Sequence, residues 1–228
     1  MSRPGFLAAV GLVLRKELLL ERRTGEATVT ALLFGVLVLV VAAFALADAG
    51  AEPAMVAPAA FWITLGLAAN LAVVRGWTRE RDDDALDALR LAPIPPAAIL
   101  AGKALGLTVA LFVVELVLAV PTVVFFRLPV PETAAWLVPA ALLATFGIAV
   151  VGSLFGAMAI GGSAAELLIG VAVYPLLVPL FLGVVEVSRA ALQGGGWDAV
   201  AGWTVLLAAF DVGVGAGALW LFRPLLEE

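Results

Sequence analysis

The chain reads as an all-α integral membrane protein with six transmembrane helices, an N-terminal amphipathic helix on the membrane surface and a short helical element on the cytoplasmic side. Three observations predict this. The mean hydropathy is +1.14 and 64% of the 228 residues are apolar, which excludes an ordinary water-soluble domain. Six apolar runs are each long enough to cross a bilayer, which takes about 20 residues in a helix. Eleven of the thirteen Lys and Arg residues also fall on one side of the membrane that those runs define.

Residues 3–23 form the first element. Phe6, Leu7, Val10, Val13, Leu14 and Leu18 recur at three- and four-residue steps, and Arg15, Lys16, Glu21 and Arg22 occupy much of the remaining circumference. That pattern suits a helix lying in the interface, with its apolar side in the lipid. No signal peptide is expected, because this stretch lacks an uncharged apolar core ahead of a small-residue cleavage site.

The spans are placed at 28–47, 56–74, 104–126, 136–160, 167–185 and 199–222 of a single transmembrane domain, 1–228. Arg3, Arg15, Lys16, Arg22 and Arg23 precede the first span. Arg75, Arg79, Arg81, Arg90 and Lys103 lie between the second and third, and Arg223 follows the sixth. Only Arg127 and Arg189 lie on the other side. Positive charge marks the cytoplasmic face. Both termini are therefore expected in the cytoplasm, with Lys103 snorkelling at the start of the third span. Trp136, Trp197 and Trp203 are expected in the outer aromatic belt, with Trp77 and Trp220 in the inner one.

Two small-xxx-small patterns, Gly152–Gly156 and Gly213–Gly217, suggest close helix packing, chiefly within the chain. Pro175 and Pro179 lie one turn apart in the fifth span. Each removes a backbone donor, so they mark a candidate hinge or cavity-lining break, or a static kink.

Composition removes several chemistries. Without Cys or His there is no disulfide, no thiol site and no commonest metal ligand or general base, so neither a catalytic residue nor a metal site is expected. Gly102-Lys103 is not a P-loop, since no Gly stands five residues before Gly102 and Ala104 replaces the Ser or Thr. The basic residues flank membrane segments and do not suggest nucleic acid as a partner. Glu115 and Asp211 fall near mid-membrane, where a charge costs about 2.5–3.5 kcal/mol on insertion scales. They are candidates for the lining of a translocation path or for proton coupling. The alternative is a neutral acid bonded between helices. Asn70 is a weaker candidate for polar lining.

The loop at 75–98 holds the richest pattern. Asp82, Asp83 and Asp84 can cap a short helix, Leu86, Leu89 and Arg90 share neighbouring positions on it, and Pro93, Pro95 and Pro96 end it. Such a piece can set its Leu side into a groove on a soluble partner, or it can be a solvated connection.

This loop resembles that of the haem exporter B family, the permease subunits of the cytochrome c maturation ABC transporter. Arg75, Trp77 and Glu80 are followed by Leu86, Asp87 and Leu89, then Pro93, Pro95 and Lys103. Arg22 and Glu26 match the family's N-terminal helix, and Pro175 and Pro179 match its two prolines in "YPLLVPLFL". Asp84 and Ala85 stand where the family usually has Gly, which leaves the local turn open. The resemblance implies an ABC-2-like six-helix permease in the cytoplasmic (inner) membrane. It also implies that ATP is hydrolysed on a separate ATPase subunit. Further implied partners are a haem-handling membrane subunit, a small single-span subunit and an outer haem chaperone, with haem as the handled ligand. Arg75, Trp77, Glu80, Leu86, Asp87, Leu89 and Pro93 would form the ATPase-coupling loop. The alternatives are an ABC-2 permease for a lipid or drug, a proton-coupled transporter using Glu115 and Asp211, or a non-transporting scaffold.

Overall fold

The computed structural model describes residues 4–47, 50, 52–82, 94–128, 131–159 and 163–227. Among them are seven α-helices and one 3-10 helix. They are α1 (Phe6–Thr24), α2 (Glu26–Ala47), α3 (Pro53–Asp82), α4 (Pro96–Phe126), the 3-10 turn Glu132–Trp136, α5 (Leu137–Ala159), α6 (Ser163–Leu192) and α7 (Trp197–Glu227). The last six α-helices are long and apolar enough to cross a membrane, with the 3-10 turn leading into α5. They alternate in direction, so the bundle has a near end, which carries α1, and a far end, which carries Met55, Arg127 and Arg189.

Backbone chemistry explains the joints. Gly25 ends α1 in the left-handed conformation (φ 62°) and donates its N–H to the Glu21 carbonyl at 2.7 Å. α2 starts one residue later, and the Glu21 carboxylate accepts the Thr28 N–H at 2.8 Å. One side chain of α1 thus satisfies an orphan donor in the first turn of α2. Pro95 and Pro96 begin α4, where a missing N–H is no loss.

The main core lies between α3, α4, α5 and α6, around Leu65, Leu111, Val114, Leu118, Ala144 and Leu180. A second cluster at the near end joins Val73 and Trp77 to Leu100, Val150, Leu154 and Phe222. Gly152 and Gly156 let α5 close on α3. A Cβ on Gly152 would sit 2.6 Å from a Val73 methyl, and one on Gly156 would meet the Trp77 ring. That pattern packs within the chain, as expected. Gly213, Gly215 and Gly217 instead face open space.

Several expectations are corrected. The segment 75–98 is not all loop: residues 75–82 continue α3, and Pro96 to Lys103 already belong to α4. These eight residues of α4 form helix because Ala97, Ala98, Ile99 and Leu100 are buried against neighbours. The surface helix is also more than interfacial. It packs along α4 through Ala9 and Val13, while Leu7, Leu12 and Leu19 remain exposed. At the far end the Trp136 and Trp197 rings meet at 5.2 Å, and Trp220 is exposed toward the near end. Trp77 does not sit in a belt; it is buried.

Gly156→Val should lower unfolding stability in detergent by about 1–3 kcal/mol through overpacking against Trp77. Gly213→Ala, on an open helix face, should stay within about 0.5 kcal/mol of the parent. Thermal unfolding monitored by circular dichroism distinguishes the two.

Candidate functional site

Two polar centres stand out, one at the near end and one at mid-bundle. The first is built where α1 crosses α4. Gly102 and Gly106 leave room for the crossing: a Cβ on Gly102 would lie 2.5 Å from Val13 Cβ, and one on Gly106 would lie 2.7 Å from Glu17 Cβ. Lys103 stands between these glycines and is only 6% exposed. Its ammonium donates to Glu17 Oε1 at 3.1 Å and lies 4.6 Å from the centre of the Trp77 ring. Lys16 donates to the same Glu17 oxygen at 3.2 Å. Lys103 therefore does not snorkel to solvent. The crossing of α1 closes over it, and Glu17 supplies the counter-charge that burial demands.

A small cavity of about 60 Å³ adjoins this group, lined by Glu17, Glu21, Trp77, Lys103 and the buried Ser153. Arg75 is exposed nearby, with its guanidinium 3.8 Å from Glu26. Of the other residues expected to couple to a partner, Glu80 belongs by its backbone to the last turn of α3. Its side chain, and all of Leu86, Asp87, Leu89 and Pro93, lie outside the described residues.

The second centre holds the two intramembrane acids. Glu115 on α4 is buried, and its Oε2 accepts the Thr145 hydroxyl at 2.6 Å. Asp211 on α7 is 7% exposed, and neither of its oxygens has a hydrogen-bond partner among the described residues. It sits against Gly147, where a Cβ would lie 2.5 Å from Asp211 Oδ1. Thr145 and Gly147 are two residues apart, so one turn of α5 stands between the two acids. Asn70 is half-buried on α3 and lines neither cavity described here. Pro175 and Pro179 lie exposed on α6, which is helical through both, and they line neither of these two cavities.

Glu115 also borders a larger cavity of about 240 Å³ in the far half of the bundle. Phe61 and Trp62 of α3, Phe112 and Leu116 of α4, Leu137 of α5 and Ser188 of α6 contribute to its wall. No cluster of three or more carboxylates able to hold a metal ion occurs among the described residues.

Residues 8–221 match the CcmB protein family. The chain belongs to that family. It is 31% identical over 185 residues to Heme exporter protein B of Rhodobacter capsulatus, covering 80% of this chain and 83% of that protein. Heme exporter protein B of Paracoccus denitrificans is 32% identical over 183 residues, covering 78% of this chain and 82% of the relative. This CcmB-family chain is accordingly a multi-pass membrane protein with six spanning helices.

The Gly102-xxx-Gly106 spacing is the signal that sequence reading passed over. It was visible as a small-xxx-small pattern around a lysine, but nothing in the linear order names α1 as the helix it receives. A double-mutant cycle of Glu17→Gln and Lys103→Met should return a coupling energy of about 1–2 kcal/mol in equilibrium unfolding from mixed micelles. Strict additivity would mean that the pair contributes nothing beyond its separate side chains.

Proposed function

We propose that this chain is the permease subunit of a haem-export ABC complex serving cytochrome c-type biogenesis, with ATP hydrolysed on a separate subunit. The observation that carries the reading is the family match across nearly the whole chain, joined to two relatives named for haem export. The chain has no His or Cys and only Met1, Met55 and Met158, so it lacks the usual axial pair for haem iron. Haem that contacts it is held by apolar surface, by Tyr174 or Met, or by a partner subunit. The remaining partners are a haem-handling membrane subunit, a small single-span subunit and an outer haem chaperone, whose haem-loaded form is released at the expense of ATP.

The near end is the cytoplasmic end in this reading. Arg15, Lys16, Arg22, Arg23, Arg75 and Lys103 all belong to it, whereas Arg127 and Arg189 lie at the far end, which supports both termini being cytoplasmic in the inner membrane. The ATPase docks on residues 83–93 and the end of α3. Leu86 and Leu89 enter its groove, while Glu80 and Asp87 orient the contact beside Arg75, Trp77 and Pro93. Leu86→Asp combined with Leu89→Asp should abolish co-purification of the ATPase subunit and formation of c-type cytochromes, with membrane insertion intact. Retained ATPase binding would reject this docking surface.

A second reading, proton-coupled transport, is favoured by one observation: Glu115 and Asp211 both lie against the same turn of α5. In the ABC reading, the Glu115→Gln, Asp211→Asn double variant should still support cytochrome c maturation. Complete loss of maturation with the subunit assembly intact would favour proton coupling.

A further inference from the structure

We propose that the 240 Å³ cavity in the far half of the bundle is a binding site for one acyl chain of a membrane phospholipid, entering sideways between α4 and α5. The chemistry of the wall selects an apolar occupant. Its hydroxyl donors are committed elsewhere: Thr122 donates to the Leu118 carbonyl and Ser188 to the Val184 carbonyl, both at 2.7 Å. Ser188 also receives the Trp62 indole N–H at 2.9 Å. Glu115 gives one oxygen to Thr145. Phe61, Trp62, Phe112, Leu116 and Leu137 form much of what remains. A buried water needs two to four polar partners, and this wall does not present them.

Size narrows the class. An apolar cavity of about 150 Å³ accepts a benzene-sized molecule, and pockets for drug-sized ligands occupy about 300–1,000 Å³. At about 240 Å³ this cavity fits a run of methylenes and is too small for a peptide or a macrocycle. Access names the source. Leu116, Val123 and Val138 line the cavity and are also exposed on the outer surface of the bundle. The mouth is therefore an apolar gap between two spanning helices, on a face that lipid tails would cover. Tails are as apolar as the wall, so the chain is held by close packing against the aromatic rings and not by escape from water. This site does not depend on which end of the bundle faces the cytoplasm.

The test uses the full chain in nanodiscs of phosphatidylcholine brominated at mid-chain. Trp62 is kept and the other five tryptophans are replaced by Phe. Trp62 is 3% exposed, so bromine reaches it through the cavity. Its emission should fall strongly relative to discs of unbrominated lipid, and Ala141→Leu, which fills the cavity, should restore most of it. Unquenched Trp62, or quenching that Ala141→Leu leaves unchanged, overturns the site. A second measurement leaves the tryptophans in place. Phosphatidylcholine with a photoactivatable acyl chain should label Phe61 and Phe112 in the parent and lose that labelling in Ala141→Leu. Adducts confined to surface residues such as Val120 overturn the proposal as well.

Discussion

The near end of this protein depends on how one buried ammonium group is neutralised. Lys103 lies inside an apolar helix and is buried beneath α1. Glu17 meets it only because α1 crosses α4 over two residues without side chains, Gly102 and Gly106. The ion pair and the close approach therefore need each other. Without the glycines Glu17 could not come near, and without Glu17 the lysine would be a buried charge lacking this counter-ion. Trp77 completes the arrangement from α3 by placing its ring against the same ammonium. Three helices that are far apart in sequence are thereby held at one point.

The mid-bundle acids follow a different logic. Both approach α5, but from opposite neighbours and with opposite support. Thr145 gives Glu115 a short hydrogen bond, whereas Gly147 gives Asp211 only space. A side chain at position 147 would collide with Asp211 and also with Leu180, so the glycine sets how closely α5, α6 and α7 approach one another. Small residues thus decide the packing here as they do at the near end. This is expected where lipid offers helices no hydrophobic reason to associate.

Much of the architecture was legible in the chain. Six apolar runs and a one-sided distribution of Arg and Lys lead to six spans, because a helix crossing lipid must be long and uncharged whatever it packs against. The Gly152–Gly156 pattern was legible for a similar reason. What escaped depends on partners. Lys103 at the start of an apolar run reads as a snorkelling residue until α1 is known to lie over it. Residues 75–82 read as loop because Arg75, Arg79, Glu80 and Arg81 break the hydropathy, yet a helix leaving a bundle loses none of its backbone bonds by becoming polar. Trp77 reads as a belt residue because aromatic rings at helix ends usually are, yet its ring fills the gap over Gly156 and lies against the Lys103 ammonium. The far cavity could not be read at all, since it is a space left between four helices and no single segment encodes it.

The length of α3 has a mechanical consequence. It runs from Pro53 to Asp82 as one helix, about 45 Å at 1.5 Å per residue. Its near part carries Trp77, clasped against Lys103, and its far part carries Phe61 and Trp62 in the cavity wall. The two tryptophans are separated by roughly 22 Å along the axis. Were such a rod to pivot at the near-end clasp, it would act as a lever. A tilt of about 5° there would swing the cavity wall by roughly 2 Å, comparable to the shift that opens or closes an apolar gap to a methylene chain. Force applied where α3 emerges from the bundle would thus be felt first as a change of shape on the opposite side of the bilayer.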